Sequence, residues 1–167
     1  MSAGTLVLLA LLAQGAEMSP SPRAKARAQF LLSEGAQLYE RGATAAALDK
    51  FQRAYAEFPS PKLLFNIGQC NRDLGRSVDA MNAFERFVSD SVDAPVAMMA
   101  EAKRSMAELR NSVGSLTIKC GVRGANIGVD GKSVGSSPLL GSLWVMPGTH
   151  LVTARHPKAT QIGRAHV

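Results

Sequence analysis

A chain of 167 residues, 46% of them hydrophobic, has room for one ordinary domain or two small ones and enough apolar side chains to exclude global disorder. Aromatics make up 5% with a single Trp, so any core must be built mainly from Ala, Leu, Val, Phe and Met. The net charge of +6 is uneven: up to Gly114 there are 13 basic and 12 acidic residues, whereas from Ser115 onward 6 basic residues face Asp130 alone. Such a basic C-terminal part attracts anionic polymer or lipid headgroups, or simply keeps a small domain solvated. No interleaving of aromatic and basic residues, of the kind that stacks on bases, supports a nucleic-acid partner.

In chain order, Thr5 to Ala13 form an apolar run too short to span a bilayer as a helix. The small residues Gly15 and Ala16 follow it. Its length and exit fit a secretory signal over residues 1–16, cleaved after Gly15 or Ala16, with a Pro-Ser linker over 17–22. No Lys or Arg precedes the run. Either the true start is therefore expected to lie upstream, or the run is a buried helix in a cytoplasmic protein.

The next seventy residues repeat. Gly35 recurs as Gly68, Gly42 as Gly75, Ala47 as Ala80 and Phe51 as Phe84, each 33 positions on. A fixed offset of this size with two helices per unit signals stacked helical hairpins. The apolar spacing predicts helices over 23–40, 44–57, 62–74, 78–89 and 96–111. Gly35 and Gly68 would let paired helices approach, beside the small Ala47 and Ala80. Gly42 and Gly75 would supply left-handed turns at helix ends. Phe51 and Phe84 are expected to fill the space between successive hairpins, buried together with Leu64, Ile67 and Phe87. Pro59 and Pro61 break the chain between units.

These residues resemble the tetratricopeptide repeat family over residues 23–112, with Gly35, Gly42, Ala47, Phe51, Ala54 and Pro59 in one repeat and Leu64, Gly68, Gly75, Ala80 and Phe84 in the next. Phe87 and Val92 depart from the family pattern. Phe87 is expected to pack on the fifth helix, which caps the array. The family register implies an inner groove for a protein or peptide partner. Its lining would be Gln29, Leu32, Ala36 and Tyr39 from the first repeat and Lys62, Phe65, Asn66, Gln69 and Arg72 from the second. Some relatives grip a C-terminal carboxylate with Lys and Asn in successive repeats. Leu32 and Ala36 stand at the matching positions here, so that clamp is absent.

After Asn111 the period changes to short β-branched runs at Leu116–Thr117–Ile118, 126–129 and 151–153, separated by turn residues. Asp130-Gly131 between alternating residues is a strong hairpin signal. The fold class expected is thus α+β, helical hairpins followed by a small antiparallel β-domain. The segment from Asp130 to Leu139, with Pro147-Gly148-Thr149-His150, resembles the PEGA domain over about 114–160. Together the two resemblances imply an exported, envelope-associated bacterial protein. The last seven residues, 161–167, resemble the read-through of a sequencing adapter. On that reading the β-domain is expected to lack its closing strand.

No chemistry-bearing constellation emerges. His150, His156 and His166 lack ligand spacing, and no nucleophile–base set assembles. Cys70 and Cys120 form neither a zinc motif nor a disulfide framework and are expected to be buried thiols. His150 is expected to orient the Pro147-Gly148 turn. The function expected is therefore non-enzymatic, without cofactor, metal or small-molecule substrate. It would be an envelope scaffold binding a protein or peptide, or alternatively a binder of envelope glycan or an anionic membrane surface through the basic β-part.

Overall fold

The computed structural model describes residues 21–157 and 159–167, and for residues 159–164 the backbone alone. The expected signal segment and nearly all of the linker lie outside the described residues. Among the described residues five helices come first: α1 (Pro22–Glu40), α2 (Thr44–Glu57), α3 (Pro61–Asp73), α4 (Ser77–Asp90) and α5 (Val96–Leu109). Six strands follow: β1 (Gly114–Leu116), β2 (Asn126–Val129), β3 (Lys132–Ser136), β4 (Leu143–Val145), β5 (Thr149–His156) and β6 (Ala159–His166). The class is α+β. Among the described residues no helix is long and apolar enough to cross a membrane.

The helix ends follow from local chemistry. Ser21 caps α1 by accepting the Ala24 N–H at 3.2 Å, and Pro22 occupies the first turn, where its missing N–H is harmless. Gly42 and Gly75 adopt φ of +75° and +71°. Past each glycine the chain turns back, with Ala43 N–H bonding Leu38 O and Arg76 N–H bonding Asn71 O at 2.9 and 2.8 Å. Those bonds, with Gly42 to Tyr39 O and Gly75 to Arg72 O, satisfy carbonyls the helices would otherwise leave open.

Each hairpin closes on a glycine–phenylalanine contact, Gly35 with Phe51 and Gly68 with Phe84. A β-carbon at Gly35 would lie 2.6 Å from the Phe51 ring, and one at Gly68 would lie 2.7 Å from the Phe84 ring. This corrects the expectation that Phe51 and Phe84 fill the space between hairpins: each ring lies inside its own. The reason is geometric, because only the missing side chain leaves room for a phenyl ring at the crossing. The phenylalanines are likewise not buried as one group. Phe51 and Ile67 join a first cluster with Leu31 and Leu48, while Leu64, Phe84 and Phe87 join a second with Phe65 and Met81. α5 contributes Ala102 and Leu109 to that second cluster, so Phe87 does pack toward the fifth helix.

Two antiparallel sheets make up the C-terminal part, β1–β4 and a four-stranded sheet in the order β3-β2-β5-β6. Val129 pairs with Lys132 across Asp130-Gly131, whose φ values of +49° and +80° give the left-handed two-residue turn that matches strand twist. Strand β1 ends at Leu116, two residues short of the expected run, although Ile118 still packs on a third cluster of Leu116, Val129 and Val145. The far side of β5, expected to be open, is occupied. Residues 159–166 pair along it from Thr149↔His166 to His156↔Ala159, and Ala165 and Val167 pack on the third cluster. The segment read as adapter-derived therefore lies almost wholly within β6.

Candidate functional site

Two clefts open at the N-terminal ends of the odd-numbered helices. The first, of about 190 Å³, is lined by Lys25, Gln29 and Leu32 of α1 with Phe58, Ser60 and Leu63. The second, of about 380 Å³, is lined by Pro61 and Lys62 of α3 with Phe87, Ser91, Val92 and Met98, among others. They are repeat equivalents. Ala28, Gln29 and Phe58 of the first correspond, 33 residues on, to Pro61, Lys62 and Ser91 of the second. Both are walled by the loop that follows an even-numbered helix, and the second is mostly apolar, with Val92 92% exposed at its rim.

The expected groove residues fall into three sets. Gln29, Leu32 and Lys62 line the clefts. Phe65 is core: 7% exposed, with ring centroids 6.0 Å from Phe84 and 5.3 Å from Phe87. Its aromatic neighbours hold it inward, so it is not available to a ligand. Tyr39 and Arg72 belong to a polar chain at the opposite, C-terminal ends of the same helices. Tyr39 Oη donates to Asp73 Oδ2 at 2.5 Å, and Arg72 bonds Asp73, Glu101 and Ser105 at 3.2, 3.2 and 2.9 Å. Arg104 extends the chain by pairing with Glu101. This chain ties α1, α3 and α5 side by side. Ala36, Asn66 and Gln69 lie half-buried along α1 and α3 and line neither cleft.

Burial and the Asp73 bond push the Tyr39 phenol up to about 12. Burial, and then the Asp73 charge, push the Cys70 thiol up to about 11. Cys70 is fully buried and free, as its sequence setting suggested, whereas Cys120 is free but half-buried. Depressed thiol values accompany reactive cysteines, and Cys70 goes the other way. Among the described residues no group of three or more His, Cys, Asp or Glu side chains is placed to hold a metal ion.

A third cleft, of about 500 Å³, lies where the helices meet the sheets. Val78, Asp79 and Asn82 of α4 face Asp130, Lys132, Trp144, Met146 and His150 of the β-part. Trp144 Nε1 donates to Glu85 Oε2 at 3.0 Å, and its ring packs against the second hydrophobic cluster. Sequence reasoning missed this junction, because no local pattern tells that one Trp of a three-residue strand meets α4. The loop wall of the second cleft was recoverable from the 33-residue offset, which carries Phe58 onto Ser91. Comparison of the chain with protein-family models, with curated proteins and with solved structures finds no match.

Proposed function

We propose that the chain is a non-catalytic adaptor of the bacterial cell envelope. Its helical hairpins, read as tetratricopeptide repeats, take an extended segment of a partner protein, and its β-part, read as a PEGA domain, serves as spacer or docking unit. The observation that carries this reading is the pair of clefts related by the repeat offset. A polypeptide laid along the array meets the same kind of surface at each step: a long polar or basic side chain (Gln29, then Lys62) beside an apolar wall. Repeating sites suit a repeating polymer, and the ordering entropy of an extended segment is offset only when several small sites engage at once. Arg72, already committed to Glu101 and Ser105, supplies shape here and not ligand charge.

Selection of random peptides on the purified chain tests this. The selected peptides should lose at least about tenfold in affinity on Leu32→Glu and on Val92→Glu, roughly 1.4 kcal/mol for each tenfold step. Circular dichroism should stay unchanged for both variants, since Leu32 is half-buried and Val92 is at the rim. Affinity that ignores both substitutions, falls steeply with salt and tracks the β-part would instead favour binding of an anionic envelope polymer.

A further inference from the structure

His150 is 9% exposed, and both of its ring nitrogens meet acceptors. Nδ1 lies 2.6 Å from Asp130 Oδ2, and Nε2 lies 2.7 Å from the Met146 carbonyl oxygen. A backbone carbonyl can only accept, so Nε2 carries a proton. The Asp130 carboxyl accepts the Leu151 N–H through Oδ1 at 2.9 Å, and its side chain is half exposed to water, conditions that keep it ionised. Nδ1 then also carries a proton. The ring that satisfies this geometry is the imidazolium.

The three groups it joins come from different places in the chain. Asp130 is the first residue of the left-handed turn between β2 and β3, Met146 follows β4, and His150 lies in β5. Asp130 N–H also bonds Leu151 O at 2.9 Å. The ring and the aspartate thus clamp the β2–β3 hairpin and the end of β4 onto β5. All three residues line the cleft against α4, whose Asp79 contributes the facing carboxylate, with Lys132 as the remaining charged group of the lining.

We propose that His150 is a pH-operated clamp: its imidazolium fixes the hairpin wall that faces α4, and loss of one ring proton at rising pH releases that wall. The neutral ring offers one N–H for two acceptors, so either Asp130 or Met146 loses its partner and faces a lone pair. The bond to Asp130, then the bond to Met146, hold the histidine above its ordinary value of about 6.5. The bond to His150, then that from Leu151, hold Asp130 below its ordinary value. Because the histidine is raised, its contribution is complete below about 6.5 and is lost as pH climbs through the elevated folded value. Because the aspartate is lowered, its contribution is complete above the ordinary carboxylate value of about 3.9 and is lost as pH falls through the depressed one. The clamp is therefore complete between the ordinary carboxylate value of about 3.9 and the ordinary histidine value of about 6.5. This is independent of whether the helical clefts bind peptide.

Nitrogen-detected NMR of the full chain reads the clamp directly. The expected result is a His150 ring with both nitrogens protonated at mildly acidic pH and a midpoint above that of a free histidine. Asp130→Asn should return the midpoint toward the ordinary value. Across the wild-type midpoint, protection of the Leu151 amide should fall, and the emission of Trp144, the only tryptophan, should change in step. His150→Gln should abolish that step. A His150 midpoint at or below the ordinary value overturns the proposal, as does Leu151 protection that stays flat through an elevated midpoint. Both of those readouts need only the wild-type chain, so a variant that fails to fold leaves the outcome decided.

Discussion

Substituting Gly68→Ala places a methyl group where the structure leaves none. Its carbon would lie 2.7 Å from both Cδ1 and Cε1 of Phe84, about 1 Å inside the comfortable carbon–carbon separation of roughly 3.5–4.0 Å. Phe84 is fully buried and held edge-on by Phe65, so its ring cannot swing aside without moving a second aromatic. Overpacking of this kind costs about 1–3 kcal/mol. Alanine recovers close to 1 kcal/mol of helix propensity, which leaves a net destabilisation of about 1 kcal/mol, reaching about 2 if Phe65 must also shift. For a chain of this size thermal unfolding should shift down by about 2–4 °C for each kcal/mol. A double-mutant cycle isolates the cause. Phe84→Leu leaves a void that the new methyl partly fills, so the pair should be more stable than the sum of the singles by at least about 0.5 kcal/mol. Gly75→Ala is the contrasting control: nothing lies within 4 Å of its β-carbon, and its φ of +71° alone makes the change unfavourable, by about 1–2 kcal/mol. Phe84→Leu should not rescue it. Gly68→Ala as stable as the parent, or strict additivity with Phe84→Leu, would refute the packing argument.

Tyrosinate absorbance should place the ionisation of Tyr39 near 12. Asp73→Asn should lower it, because the bond and the negative charge are weakened together, and a Tyr39 titration near the ordinary value in the parent chain would contradict this. The raised value means that the Tyr39 contribution to stability is intact below about 10 and fades as pH rises through about 12. Ending the chain after Pro157 should strip protection from the β5 amides that bond β6, while those bonded to β2 keep theirs and α1 to α5 stay protected. Unchanged β5 protection would mean that the β6 ladder contributes nothing.

The helices were legible because each carries its own punctuation. Gly42, Gly75, Pro59 and Pro61 mark boundaries through local backbone chemistry, and α2 runs over the residues the spacing predicts. The Asp130-Gly131 hairpin was legible for the same reason. Strands β3 and β4 were not, since Lys132–Ser136 is rich in Ser and Gly and Leu143–Val145 is only three residues long. Strand β3 is held by pairing to β2 across a bulge, a tertiary fact without a local signature. The groove was legible in part. Periodicity names the residues on one helix face, yet it cannot say that Phe65 turns inward onto Phe84 and Phe87, or that Arg72 is engaged by Glu101 on a helix 29 residues away.

The polar chain from Tyr39 to Ser105 also has a mechanical meaning. It stitches the C-terminal ends of α1 and α3 to the middle of α5 with directional bonds, whereas the N-terminal parts of the three helices border the two clefts. Directional bonds resist sliding, and apolar contacts tolerate it. The three helices are thus arranged like the ribs of a hand fan, with directional bonds toward one end and apolar contacts toward the other. In such an arrangement a small angular change at the pin becomes a larger displacement at the rim. Replacing Arg72 or Asp73 would loosen the rivet without altering the lining of either cleft.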